Sequence, residues 1–472
     1  MKENITIIPL IFILLYGTIN AQQATTNFQK GQVLSDLDYL YHSLENTHFN
    51  LYAYTSKDDF ERNYQIVRSE IKKDSFNLLE TTSLLQKVIS AANNAHTRIV
   101  FPGSIYMEYV QSGGTIFPLE IAFEDGKALV RKNWSKKDIK IGAELKSING
   151  RSIEEVLQKI YPQISAERSY LKNAQIESLT LSRFYWQVFG EQKVFNIELF
   201  IEGKQKEIRL DAIKALEDFE MQRDDIINHK RVFRFKSKTA YLNPGSFAGN
   251  EDDYRKFIDS AFIEIKKSQT KNLIIDLRNN PGGNDSFSDY MVSYIANKPF
   301  KWFSKFQLKT SELLKEHVRQ TKDTTEAFWR SVLEHKNGKI YNYDFGFYEP
   351  QPELKRFKGK VYVLVNRQSY SQSTVTAAQI QDYNFGTIVG EETAEYANLY
   401  ASIFSYKLPE TDIIIDVSKG LIERVNSKKE DKGVIPEIKI KDHLLDDVDE
   451  ILKELLLIIH RDLKDITKGR RD

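Results

Sequence analysis

The segment Asn272-Leu-Ile-Ile-Asp276-Leu-Arg278-Asn-Asn-Pro281-Gly282-Gly283-Asn284 constrains this chain more than any other. It reads as a short apolar strand running straight into a Pro-Gly-Gly turn. A buried strand that delivers glycine N–H groups to one point builds a cradle for an anion or oxyanion. Further along comes a second apolar strand, Val361-Tyr-Val-Leu-Val-Asn366, then Ser369-Tyr370-Ser371-Gln372-Ser373 and a helical run to Asp382. Strand followed by Gly-Gly occurs in many α/β domains. Paired with the second segment, it points to a donor site and a nucleophile.

Composition sets the frame. Lys2 precedes an apolar run from Ile5 to Tyr16, and the chain then passes through Gly17 to Ala21-Gln22-Gln23. A charged start, a short apolar stretch and a small residue before the cut predict a secretory signal peptide over 1–21. The run is about 12 residues, short of the roughly 20 that span a bilayer, so an uncleaved anchor is the rival reading. No other stretch is long and apolar enough, so no integral membrane segment is expected after signal removal, and export places the protein in the periplasm or outside the cell. A formal charge of +1 favours neither nucleic acid nor an anionic membrane as partner, and the absence of Cys removes disulfides, thiol catalysis and Cys–zinc sites.

Three regions follow. From 28 to 100 the pattern is helical, with Leu34, Leu37, Leu40, Tyr41 and Leu44, and later Leu78, Leu85, Val88 and Ile89, at helical spacing. From 101 to 212 strands dominate. Phe117–Phe123 and Ala128–Arg131 read as a hairpin turning at Asp125-Gly126, and Phe195–Ile201 with Lys204–Leu210 as another turning at Glu202-Gly203. A mostly helical insertion around Ala174 to Phe189 lies between them. From 213 to 472 strands and helices alternate, implying an α/β core. Its strand set is expected to include Thr239–Leu242, Leu273–Leu277, Val361–Val365, Thr387–Val389 and Ile413–Asp416, with an amphipathic closing helix from His443 to His460.

Ser371 stands at the mouth of a helix, where unpaired N–H groups and the dipole favour negative charge. The same position suits an ordinary N-cap, and Ser369, Ser371 and Ser373 all compete for that role. A serine nucleophile needs a base. Most of the eight histidines lie in charged runs, mid-helix or in the tail. His96 differs, because it follows a small-residue helix end, Ser90-Ala-Ala-Asn-Asn-Ala95, and precedes Thr97-Arg-Ile-Val-Phe101, which reads as a strand. His48 is the second candidate. Glu430, inside Lys428-Lys-Glu-Asp-Lys432, reads on its own as a solvated charge.

The pairing of Asp276-Leu-Arg-Asn-Asn-Pro-Gly-Gly with Val363-Leu-Val-Asn-Arg-Gln-Ser-Tyr-Ser371 resembles the C-terminal-processing (tail-specific) serine peptidase family. The likeness continues through Gln381-Asp382-Tyr383, Gly390-Glu391-Glu-Thr393 and Gly433-Val-Ile-Pro-Glu437. Ala95-His96-Thr97 is similar to the Asp-Gly-His-Thr element of the tricorn-like branch, with Asn94-Ala95 in place of Asp-Gly. The stretch from Gly142 to Gly150 resembles the signature of the family's PDZ-like domain. One branch of the family uses a Ser–Lys dyad whose lysine lies in a Thr-x-Gly-Lys element. Here that element reads Thr393-Ala-Glu-Tyr396, with tyrosine at the lysine position.

The resemblance therefore implies the Ser-His-Glu layout of the other branch. Ser371 would attack, His96 would carry the proton, and Glu430 would orient the imidazole. Gly283 or Gly282, together with Gln372, would donate to the oxyanion. Asp276 and Arg278 would brace the turn. It further implies a ClpP/crotonase-like α/β core, an N-terminal helical domain, a PDZ-like β-rich domain, and protein or peptide substrates cleaved without metal, nucleotide or other cofactor. The alternative on the same scaffold is a non-catalytic ligand- or peptide-binding protein.

Overall fold

The apolar runs near Leu273 and Val361 lack the in–out alternation of a half-exposed strand, and such strands are stable only where both faces are covered. The computed structural model, which describes residues 27–236 and 238–468, shows this arrangement. Ala166–Ser178, Asp225–Ser402 and the described part of Ser418–Asp472 form one unit. Its six-stranded sheet runs in the order Val232–Lys236, Thr239–Asn243, Asn272–Asp276, Lys360–Val365, Thr387–Gly390, Ile438–Lys439. The first pair is antiparallel and every other pair parallel.

Each face of this sheet has its own core. Leu273, Ile275, Val361, Val363 and Val365 pack against Ile258, Phe262, Met291 and Ala377, which lie on the helices Glu251–Ser268, Asp285–Ser293 and Gln372–Tyr383. On the opposite face, Ile274, Tyr362, Leu364 and Val389 meet Ile451, Leu452 and Leu455 of the closing helix Glu450–Lys468. Period-two alternation thus survives as a division between two cores. The architecture is α/β.

The other unit comprises the described parts of Met1–Ser165, Leu179–Asp224 and Ile403–Val417. Helices Lys30–Thr47, Lys57–Glu70 and Leu78–Ser90 pack beside a two-stranded sheet of Asn27–Gln29 and Ser75–Asn77. The strands Leu119–Glu124 and Lys127–Asn133 turn at Asp125 and Gly126 with φ of 50° and 78°, and Val194–Ile201 and Lys204–Asp211 turn at Glu202 and Gly203 with 51° and 81°. Two successive positive φ values match the right-handed twist of the strands they join.

Three expectations shift. The run at Ile413 does not extend the parallel sheet. It begins the strand Ile414–Glu423, which pairs antiparallel with Lys305–Lys309 in a four-stranded sheet. The closing helix starts at Glu450 rather than His443: Asp446 accepts the Val448 N–H (2.8 Å) in a local turn, and Asp449 caps the helix by accepting the Leu452 N–H (2.9 Å). The insertion is two helices, Ser169–Leu179 and Leu181–Phe189, broken at Thr180 with φ of 79°. The signal-peptide segment 1–21 lies outside the described residues, and no described helix is long and apolar enough to cross a membrane.

Asp289 is buried between two helices, accepting from Gln379 Nε2 at 2.9 Å. Burial pushes its carboxyl up to about 7, against the Gln379 hydrogen bond, which favours ionisation. A carboxyl with a raised folded-state pKa keeps its proton while the unfolded chain loses it. Stability therefore falls as pH rises from about 4 to about 7 and levels off above. Asp289→Asn preserves the contact and removes that loss. Urea denaturation should find the variant about equal to wild type at pH 4 and more stable at pH 8, by roughly 2–4 kcal/mol. A pH-independent difference would remove this carboxyl from the account.

Candidate active site

Asn272–Asp276 and Lys360–Val365 pair in parallel with Asp276 opposite Leu364, and the ladder continues through Leu277 N–H to Leu364 O at 2.9 Å. Both chains leave the sheet at the same edge, where α/β folds place their sites. Arg278 braces the first turn. Its guanidinium donates to Asp276 at 3.0 and 2.7 Å and to Asp449 at 2.6 and 2.9 Å, while Tyr241 Oη donates to Asp276 at 2.7 Å. Burial opposes the arginine charge, and the two carboxylates more than offset it. Asn279 and Asn366 then tie the turns together, with Asn366 Nδ2 donating to Asn279 Oδ1 at 2.8 Å.

The glycine turn reaches the serine. Gly282 has φ of +87°, and a Cβ there would lie 2.7 Å from Ser371 Cβ, Gln372 N and Tyr370 O. No residue with a side chain permits that approach. A Cβ on Gly283, with φ of +136°, would fall 2.0 Å from Phe247 O. The Gly282 N–H donates to Asn280 Oδ1 at 2.8 Å. Among the described residues the Gly283 and Gln372 N–H groups have no hydrogen-bond acceptor.

The three serines separate by geometry. Ser369 Oγ and Ser373 Oγ both donate to Leu277 O, at 2.8 and 3.2 Å, pinning the second turn to the first. Ser371 occupies the N-cap position of Gln372–Tyr383, yet its side chain makes no capping bond. Its backbone sits at φ 56°, ψ −124°, outside the regions open to most residues. Such a conformation costs about 1–3 kcal/mol and persists only where neighbours impose it. A strained strand-to-helix turn of this kind leaves a serine oxygen projecting from the top of a sheet.

A residue that motif reading missed lies beside it. Glu395, 1% exposed, accepts the Ser371 N–H on Oε2 at 2.5 Å. Its loop is gripped by Arg168, which donates to Ala394 O, Thr393 O and Glu392 Oε1, each at 2.8 Å. The serine turn is gripped in parallel, since Glu177 accepts from Arg367 Nε at 2.8 Å and Gln368 Nε2 at 2.7 Å. Both clamps come from 166–178, a segment with no recognisable motif. Glu430 is exposed on the loop after Glu423 and makes no hydrogen bond or ion pair among the described residues.

His96 belongs to the other unit. It is buried in the turn after Leu78–Ser90, with Asn93 at φ 49° and Thr97 N–H bonded to Asn94 O at 3.1 Å. Two residues later Arg98 forms an antiparallel bridge with Asp416, at 3.0 and 2.9 Å, and Ile99 N–H donates to Gln86 Oε1 at 2.7 Å. The imidazole thus sits on a short, well-anchored corner. His48 instead ends the helix Lys30–Thr47, its Nδ1 accepting the Asn50 N–H at 3.0 Å.

Residues 238–440 match the profile described as Peptidase family S41. Among solved structures, that of mature CPAF complexed with lactacystin is similar in fold, with 15% identity, TM-score 0.62, and coverage of 87% of this chain and 94% of that one. The structure of mature CPAF gives 15% identity and TM-score 0.59, covering 87% and 92%. No curated protein sequence matches.

Removing one partner of a buried ion pair strands the other charge. Glu177→Gln should therefore destabilise the protein by about 3 kcal/mol in urea denaturation. Lys358→Gln, which breaks the exposed pair with Glu353, should leave the midpoint unchanged. Equal effects would deny the 166–178 clamp its structural role.

Proposed function

We propose that the chain, whose residues 238–440 match the profile of Peptidase family S41, is a serine-type peptidase in which Ser371, His96 and Glu430 form the catalytic triad. The observation that carries the reading is the close approach at Gly282, where a Cβ would fall 2.7 Å from Ser371 Cβ and Gln372 N. It sets two N–H groups without acceptors, on Gly283 and Gln372, beside a serine whose side chain caps nothing.

Ser371 Oγ attacks the carbonyl carbon of the scissile peptide, and His96 takes the hydroxyl proton as the C–O bond forms. The carbonyl oxygen becomes an oxyanion between the Gly283 and Gln372 amides. One such donor contributes roughly 10²–10³ in turnover. Collapse breaks the C–N bond, and His96 returns its proton to the leaving amine. Water then repeats the sequence on the acyl-enzyme. Glu430 orients the imidazole for both transfers. The substrates are proteins, cleaved internally, and the segment 1–21 directs the enzyme to the periplasm or cell exterior.

Mature protein treated with a fluorophosphonate probe should be labelled once, and Ser371→Ala should abolish the label. Label retained in that variant, or absent from wild type where related peptidases react, would sink the reading. Glu430→Gln should fold normally and lose at least about tenfold in kcat. Unchanged kinetics would remove Glu430 from the site and leave the serine in place.

A further inference from the structure

We propose that Glu395 is a positioning residue for the nucleophile, its carboxylate oxygen gripping the Ser371 amide and holding the serine in its strained backbone conformation. The inference rests on Ser371 being the nucleophile.

A left-handed φ at a non-glycine residue persists only where its surroundings over-determine it. At Ser371 these are few. Tyr370 N–H donates to Asn280 O at 3.0 Å, Ser371 O accepts from Val375 N–H at 3.1 Å, and Ser371 N–H donates to Glu395 Oε2 at 2.5 Å. The last is the one side-chain acceptor on the serine's own backbone. A buried amide denied its acceptor is driven to find another partner, here by rotating the peptide that carries the nucleophile. Glu395 also decides which amides serve the oxyanion. Its grip withdraws the Ser371 N–H, leaving Gly283 and Gln372.

Glu395 is itself fixed. It is 1% exposed, Thr393 Oγ1 donates to its carbonyl at 3.1 Å, and Arg168 holds the two preceding carbonyls. Aligned with Thr-x-Gly-Lys, Glu395 stands where that element has glycine and Tyr396 where it has lysine. The chain thus carries no ammonium group there and presents an acceptor for the serine backbone. A full negative charge beside a forming oxyanion does not help it, so the contribution is that of a correctly placed oxygen.

The test compares wild type with Glu395→Gln, Glu395→Ala and Glu395→Asp. It reads fluorophosphonate labelling rate, and kcat and KM on a protein substrate such as casein. Glutamine presents an oxygen at the same reach without the charge and should stay within about threefold of wild type. Alanine should lose about 10–100-fold in kcat and labelling rate, with KM nearly unchanged, the cost of a nucleophile misplaced by about 1 Å. Aspartate keeps the charge but shortens the reach, and should fall with alanine, which preserves the comparison if the alanine variant fails to fold. An alanine variant as fast as wild type, or a slow glutamine variant beside a fast aspartate one, would overturn the inference. Wild type that never labels at Ser371 would instead overturn the peptidase reading on which it rests.

Discussion

Parallel pairing of Asn272–Asp276 with Lys360–Val365 sets Asp276 level with Leu364, so both chains enter their turns at the same height. From that register Leu277 O becomes the anchor for Ser369 and Ser373, and the Gly282 backbone comes against Ser371. A one-residue slip would turn every side chain of the strand to the other face. It would move Ile274 into the core of Leu273 and lift the glycine turn away from the serine. The slip would be opposed by side-chain packing in the two separate cores, one on each face of the sheet. The candidate site inherits its geometry from apolar packing that lies below it.

Above the sheet the forces are polar. Arg278 with Asp276, and Arg367 with Glu177 and Glu391, are buried ion pairs, and Arg278 also reaches the half-exposed Asp449. Taking such charges out of water costs about what their attraction returns, so they add little net stability. What they supply is geometry. Bidentate bonds fix the direction in which each turn leaves its strand. The strain at Ser371 is then absorbed by neighbours that cannot relax independently, because Asn279, Asn280, Asn366 and Glu395 each bond across from one turn to another.

Much of this was legible in the residues. Asp125-Gly126 and Glu202-Gly203 marked their hairpins because only certain residues tolerate two positive φ values. Pro281-Gly282-Gly283 marked a turn that needs a bare backbone. What escaped depends on contacts between distant segments. Nothing local distinguishes Ser371 from Ser369 and Ser373, and the carbonyl that separates them lies on another strand. Glu395 reads as one more charge, and its burial comes from a loop held by Arg168. The Asn280 side chain that claims the Gly282 amide was locally readable, since asparagine often bonds the backbone two residues on. Ile413–Asp416 was recognisable as a strand, but an apolar run does not say which sheet it joins.

The central claim is that the Gly283 and Gln372 amides receive the negative charge formed when Ser371 attacks. A crystal structure of the protein inhibited by a peptide aldehyde tests it most directly. The account predicts a covalent bond to Ser371 Oγ and a hemiacetal oxygen about 2.7–3.1 Å from both amide nitrogens. An adduct on another residue, or an oxygen turned away from the glycine turn toward solvent, would contradict it.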